Sequence, residues 1–514
     1  MGQQRNVIVE LSAATAPAAA LKNMSPGDTL PLAAANIPNL PGLNIDPTYA
    51  AVPVPRQVPT RETGDPFAVG ALFENDLRAE AGTFLVRGTI DEDAIPETEQ
   101  MIQANPMVLN IYSDPRIEVC IICPGSPALG NDTDVENRIG VSWLRHKKMD
   151  GQGVMVAIVD TGINLDYLRG RGKNPGFDAA KSWAPSPGLT PGDLPVGHGT
   201  MCAFDTLIAA PKATLLDIAL LLSNRSGGSI MDGLLSDAVL AYAHLIGVMS
   251  APKRPGESRS LVVNNSWGMF HPTWDFPVGH PGNYSDNLNH PFNRIVGSLE
   301  RAGADILFAA GNCGRDCPDG RCQGLTNAGI FGANSHPQVL SVAGVDVSKT
   351  RVGYSTSGPG RLTRFKPDVC GYTHFLGSGV YAADGGTSAA TPVVAGVVAA
   401  LRSKFPYQAS NPRRSPAAIR NLITRTAEDR GAVGFDFDHG WGIVNGRRIA
   451  LLSHLVVLDA VMEPEPEEVT GIREVPAPER AAAATASAGA GASGSGDEAD
   501  DEAWPSRSSA AGAD

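Results

Sequence analysis

Six consecutive apolar residues, Val154 to Val159, rich in β-branched side chains, run up to Asp160-Thr161-Gly162. A run this short, without polar alternation, predicts a strand buried on both faces of a parallel sheet, with Asp160 at its carboxyl end. Asp232 to Met249, apolar at Leu234, Leu235, Val239 and Leu245, reads as a helix, and so does Asn293 to Gly303. From Gly385, two glycines lead into Thr387 and Ser388, and small and apolar residues then continue through Leu401. That order predicts a tight turn followed by a buried helix, with Pro392 early enough to be tolerated. Nearer the N-terminus, Thr83 to Ile90 reads as a strand, Asp91 to Asn105 as a short helix and Met107 to Tyr112 as a second strand.

Composition divides the rest of the chain. Residues 1–65 are rich in Ala and Pro and read as an extended segment, with Asn6 to Leu11 as an isolated strand packing elsewhere. Residues 66–124 hold the β-α-β pattern, residues 137–455 the main domain, and residues 460–514 an acidic tail. From Glu463 onward twelve acidic residues face three basic ones, so most of the net charge of −13 sits in a tail with too little apolar surface to fold. The body is close to neutral and has no basic footprint for nucleic acid. No apolar run approaches a membrane span. The first residues lack a signal-peptide core, since Glu10 interrupts a short apolar run, and this predicts a cytoplasmic product with unconventional secretion left open. Asn6 stands where a myristoylation motif needs Ser or Thr.

Three residue types then suggest chemistry. Ser388 falls at a helix N-terminus, where unpaired N–H groups favour developing negative charge. A serine nucleophile needs a base, and the base needs an orienting carboxylate. Gly197-His198-Gly199-Thr200 offers the base and Asp160 the carboxylate. Each also has a plain structural reading: Asp160 as a turn cap, His198 as a buried core histidine, Ser388 as a helix cap.

The order Asp-Thr-Gly, Gly-His-Gly-Thr and Gly-Thr-Ser-Ala-Ala-Thr-Pro resembles the subtilisin-like serine proteases, or subtilases. Asn264-Asn265-Ser266-Trp267-Gly268 is similar to their substrate-binding strand, and Phe308-Ala309-Ala310-Gly311-Asn312 to the strand that ends in their oxyanion asparagine. The resemblance spans roughly Asn137 to Leu452. It implies an α/β fold, a mostly parallel central sheet with helices on both faces, preceded by a small propeptide-like β-α-β segment. It implies a serine endopeptidase with Asp160, His198 and Ser388 as the triad and Asn312 as oxyanion donor, acting on protein or peptide substrates. Ser226, Gly227 and Gly228 would form one peptide-binding edge and Ser266, Trp267 and Gly268 the other. Ala309, Ala310 and Gly311 would wall a roomy, largely uncharged pocket, with Trp267 either shaping a neighbouring pocket or lying in the core.

The same resemblance makes residues 66–124 an intramolecular propeptide whose tail, Ile117 to Pro124, lies toward the cleft. Cys202, one helical turn after His198, reads as a buried residue beneath the base. No cofactor and no metal ligand is assigned. A structural calcium ion stays open without ligands, because the loop before Ala210 is shorter than in the family. Seven cysteines, three of them clustered at Cys313, Cys317 and Cys322, leave a Cys317–Cys322 disulfide or free thiols as alternatives. Three His within the long 269–292 stretch and its flank, His271, His280 and His290, fit no short ligand pattern. Two other functions compete: a processing protease dedicated to one partner, and a catalytically silent peptide-binding module.

Overall fold

In the computed structural model the Val154–Val159 run is a strand inside a seven-stranded sheet, and every pairing in that sheet is parallel. The structure describes residues 4–12, 27–30, 40, 42–54, 83–103, 105–119, 127–222, 231–252 and 259–459, with side chains in the last helix to Ser453. The tail at 460–514, Cys120–Pro124 and the expected edge at Ser226, Gly227 and Gly228 lie outside the described residues.

The N-terminal part contains β1 (Gln4–Ser12), β2 (Leu43–Ile45), β3 (Val52–Val54), β4 (Thr83–Asp91), α1 (Ile95–Gln103) and β5 (Val108–Ser113). β1 is paired antiparallel with β4 along its whole length and with β5 on its other edge. Strand pairing therefore joins two stretches that composition separates, and β1 is an inner strand of a sheet. Its alternation explains why. Val7, Val9 and Leu11 face one small core with Phe84, Val86 and Ile102, while Ile8 faces the main body with Leu85 and Tyr112.

Next come β6 (Arg116–Val119), α2 (Asp132–Ile139), α3 (Val141–His146), β7 (Val154–Val159), α4 (Leu165–Gly170), β8 (Gly176–Phe177), α5 (His198–Ala209) and β9 (Thr214–Ile218). They are followed by β10 (Asp232–Leu234), α6 (Leu235–Ser250), β11 (Ser260–Asn265), β12 (Trp267–Gly268), α7 (Pro291–Arg301) and β13 (Ala304–Ala309). β14 (Leu340–Val345), β15 (Val369–Tyr372), α8 (Gly386–Lys404), α9 (Pro416–Arg425) and α10 (Gly446–Asp459) complete the order.

The large sheet runs β15-β14-β13-β11-β7-β9-β8. Successive residues of each strand serve opposite cores. Val154, Val156 and Ile158 pack with α5 and α8, whereas Ala157 and Val159 pack with α6 and α7. This is the two-sided burial that a continuous apolar run requires. α8 is pinned at its far end by Arg402, which is fully buried and grips Asp305 of β13 through Nη2 at 2.8 Å and Nε at 2.5 Å. Among the described residues no helix is long and apolar enough to cross a membrane.

The N-terminal sheet sits on α6 and α7. Glu10 pairs with Arg294 at 2.6 Å, both side chains buried, and also accepts the hydroxyls of Thr83 at 2.6 Å and Tyr112 at 2.9 Å. Asp114 accepts the Ser236 N–H at 2.7 Å in the first turn of α6, and burial pushes its carboxyl up to about 7. Beyond this point β6 runs antiparallel between β10 and β12 in a separate three-stranded sheet. The helix expected from Asp232 starts three residues later. Asp232–Leu234 is extended, and the Asp237 carboxylate accepts the Leu234 N–H at 3.3 Å where the helix takes over.

Candidate active site

Carboxyl ends of parallel strands expose the loops that follow them, and in this sheet β13, β11 and β7 are neighbours. Asn312 follows the end of β13, Ser266 follows β11 and Asp160 follows β7. Adjacent strands thus bring residues distant in sequence to one edge.

Asp160 is fully buried, and the Thr161 N–H donates to its Oδ1 at 2.7 Å. Its two oxygens lie 2.8 and 3.0 Å from His198 Nδ1. A carboxylate only accepts, so the proton of the neutral imidazole is held on Nδ1 and Nε2 is the basic nitrogen. The turn after Asp160 and the start of α5 are stitched reciprocally. The Gly199 N–H donates to Thr161 Oγ1 at 2.9 Å, and the Asn164 N–H donates to Thr200 Oγ1 at 3.0 Å. A Cβ at Gly199 would stand 2.5 Å from the Gly162 carbonyl oxygen, so this approach needs glycine.

Ser388 lies in the first turn of α8, which begins where Gly386 takes φ 73°, a left-handed angle that favours glycine. Pro392, four residues on, has no N–H to give the Ser388 carbonyl. That carbonyl instead accepts the Ser266 hydroxyl at 2.9 Å and the Cys202 thiol at 3.5 Å. Ser388 Oγ donates to the Ser266 carbonyl at 3.0 Å. His198 Nε2 is buried and has no hydrogen-bond partner among the described residues. The imidazole and the Ser388 hydroxyl are therefore not hydrogen-bonded to each other.

Cys202 is the common neighbour of all three. Its Sγ is 3.6 Å from Asp160 Oδ2, 3.8 Å from His198 Nδ1 and 3.5 Å from the Ser388 carbonyl. Burial and the Asp160 charge hold the thiol well above its ordinary pKa, so it is a packed S–H donor and a poor nucleophile. Asp160, His198 and Cys202 are also the described cluster with ligand atoms close enough for one metal ion, within 4.8 Å of each other. A nitrogen and a protonated sulfur do not make the all-oxygen shell that calcium takes.

Asn312 is fully buried, and its orientation is set by Thr387. Its Oδ1 accepts the Thr387 N–H at 2.9 Å and the Thr387 hydroxyl at 3.0 Å, which commits the oxygen inward and leaves the amide N–H₂ as the donor end. Gly311, at φ 102°, makes the turn before it.

Gly268, Ala310 and Gly311 border a cavity of about 10 Å³. Its wall carries no charged residue. Met269, Phe270 and Phe331, which stand outside the motif, close it down to the size of one water. Ala309 is buried in β13, and its carbonyl accepts the Asn334 side-chain amide at 2.8 Å. Asn334 donates equally to the Trp267 carbonyl at 2.8 Å. It ties the two walls together, and nothing in its local sequence signals that role. Trp267 offers only backbone to the cleft, since its indole is buried edge-on to Phe308 and beside Phe292. The extended edge facing β6 is Asp232–Leu234.

Two further positions were not legible. Asp205, seven residues after His198, is fully buried, and burial together with Asp384 holds its carboxyl well up. Asp384 immediately precedes the Gly385-Gly386 turn. The disulfide in the following loop is Cys313–Cys322, not Cys317–Cys322, and Cys317 is itself disulfide-bonded. His290 serves structure: its Nε2 reaches the Ser113 carbonyl at 2.9 Å, and burial lowers its pKa to about 3.

The calcium-dependent protease of Trichormus variabilis is 25% identical over 398 residues, which cover 68% of this chain and 52% of that protein. The chain thus spans about half the length of that relative. Alkaline elastase YaB of a Bacillus species is 27% identical over 354 residues, 68% of this chain and 76% of its own. Subtilisin BL of Lederbergia lenta is 26% identical over 320 residues, 60% and 95% respectively. The profile of the subtilase family matches residues 151–442, more than half of the 514. With that match and a parallel sheet carrying these residues at its carboxyl edge, the chain belongs to the subtilase family of serine proteases.

Proposed function

We propose that the chain is a serine endopeptidase with Asp160, His198 and Ser388 as its triad. The observation that carries this reading is the Asp160–His198 pairing through Nδ1, with Nε2 left basic and a single thiol touching all three residues. Rotation of Ser388 away from the Ser266 carbonyl brings its hydroxyl to Nε2, which takes the proton as Oγ attacks the substrate carbonyl. The oxyanion is held by the Asn312 amide and the Ser388 backbone N–H, both donors fixed before reaction. Collapse expels the amine, which takes the proton back from His198, and water then releases the acyl group by the same steps. Labelling of Ser388 by a fluorophosphonate, and its loss with casein cleavage in Ser388→Ala, tests this. Casein cleavage unchanged in Ser388→Ala defeats it.

The N-terminal part acts as an intramolecular propeptide in this reading. Support comes from β6, whose backbone fills the gap between β10 and β12 as an added antiparallel strand, the way extended peptides bind sheet edges. N-terminal sequencing of active protein tests it: a start beyond Val119 is expected, and active protein that retains Gln4 joined to Val119 refutes it. One relative carries calcium in its name. No step here depends on that ion.

A further inference from the structure

The loop that follows Asn312 is closed by the Cys313–Cys322 disulfide, and its last residue but one is Arg321. Arg321 is held firmly. Its Nε is 2.9 Å from Asp319 Oδ1, its Nη2 is 2.7 Å from Asp319 Oδ2, and its guanidinium lies 3.7 Å from the centre of the Phe270 ring. The Asp319 N–H donates in turn to the Asn312 carbonyl at 2.8 Å, so the platform under Arg321 is tied to the oxyanion residue.

The guanidinium also reaches into the cleft. Nη1 meets Glu118 Oε2 at 2.5 Å and Nη2 donates to the Val119 carbonyl at 2.9 Å. Glu118 is buried, and its other oxygen is taken by Arg116 Nε at 2.6 Å, from the same strand. Register fixes what this carboxylate stands for. Val119 lies opposite Trp267 and Glu118 opposite Gly268. A strand bound in this register meets Ser266, which contacts Ser388, one residue beyond the position that Val119 fills. Glu118 therefore occupies the place of the third residue before the bond to be cut.

We propose that Arg321 is a specificity-determining residue that selects an acidic side chain at the third position upstream of the scissile bond. Arg321 suits the task because its Nε edge is already occupied by Asp319, which leaves Nη1 facing the cleft with a rigid, charge-assisted donor. A neutral side chain there gives up the charge-assisted pair that Glu118 makes with Nη1, and a basic one sets two like charges side by side in a partly desolvated groove. The substrates it favours are peptides with Glu or Asp at this position.

The inference rests on the protease reading above, and the test separates the two. Three fluorogenic peptides that differ only in Glu, Gln or Lys at the third upstream position are offered to the full chain and to its Arg321→Glu and Arg321→Met variants. The wild type is expected to favour Glu over Lys by at least about tenfold in kcat/KM. Arg321→Glu should reverse that order, and Arg321→Met should bring Glu and Gln within about twofold. Each ratio is taken within one preparation, so partial misfolding of a variant cancels. Equal turnover of the three peptides by a wild type that labels at Ser388 overturns the proposal and leaves the protease reading standing. Retention of the Glu preference in Arg321→Glu also overturns it. Absence of both turnover and labelling removes the protease reading and this inference with it.

Discussion

Asp160 meets His198 with both carboxylate oxygens, at 2.8 and 3.0 Å from Nδ1, and that contact decides which imidazole nitrogen is free to take a proton. Asp160→Asn presents an amide that can donate to Nδ1 and so stabilise the wrong tautomer, with the proton on Nε2. The geometry would survive while kcat falls by about 10⁴. Steady-state kinetics on a peptide substrate, with a crystal structure or spectrum showing an intact fold, checks this.

Asn312 is aimed by Thr387, so the two should fail in the same direction and to different degrees. Asn312→Ala removes the amide proposed as an oxyanion donor and should lower kcat by about 10²–10³ with little change in KM. Thr387→Val keeps the backbone N–H to Asn312 Oδ1 but loses the hydroxyl bond, and a smaller fall in kcat is expected. A Thr387→Val enzyme with raised KM and unchanged kcat would assign that hydroxyl to substrate binding.

The Cys313–Cys322 bridge spans nine residues in sequence and carries the loop that presents Arg321. Replacing both cysteines by Ser frees that loop in the unfolded chain and should cost about 2–3 kcal/mol of stability, read from denaturant midpoints. The discrimination between Glu and Gln peptides should shrink as well, because Arg321 loses its fixed platform. Full discrimination in the double Ser variant would show that Asp319 and Phe270 suffice to hold the guanidinium.

Much of this site was legible because its parts are local. Asp160 after an apolar strand, His198 between glycines and Ser388 after Gly385-Gly386 are each written within a few residues, and the parallel sheet does the rest. What was not legible depends on distant partners. β1 finds β4 only across more than seventy residues, so its alternation read as an isolated strand. Phe331, which lines the cavity beside Ala310, comes from another loop that the motif does not show. Trp267 turned inward because Phe292 and Phe308 receive it. Cys313 pairs with Cys322 since the loop between them folds back, which spacing alone does not dictate.

Asp217 gives the fold a dependence on pH. It is fully buried on β9, and its Oδ2 accepts the Ile163 N–H at 3.0 Å and the Gly192 N–H at 2.8 Å. Burial outweighs those two donors and pushes the carboxyl up to about 7, from an ordinary value of 3.8. A folded-state pKa above the unfolded one means that folding takes up a proton. The contribution is complete below 3.8 and is lost as pH rises to about 7. Asp217→Asn cannot take part. The stability of wild type relative to Asp217→Asn should therefore fall between about pH 4 and about pH 7 and level off above, whatever the shared groups such as Asp114 do. Parallel denaturation curves at four pH values check the slope.

Gly396 sits where α8 presses most closely on α5. A Cβ at this position would stand 2.3 Å from the Thr206 carbonyl oxygen and 3.1 Å from its carbon, and both are backbone atoms with nowhere to turn. Helix propensity alone would make Gly396→Ala stabilising by roughly 1 kcal/mol. The contact reverses the sign: the helices must separate, at a cost of about 1–3 kcal/mol or more. The separation also has a direction. α5 carries His198 and Cys202, α8 carries Ser388, and the Cys202–Ser388 contact at 3.5 Å lies on the same interface. Gly396→Ala should thus lower the melting temperature and reduce kcat in the fraction that remains folded. Active-site titration is the deciding measurement, since it counts competent sites. A variant that melts early but keeps wild-type kcat per titrated site would show that the strain is absorbed before it reaches His198 and Ser388.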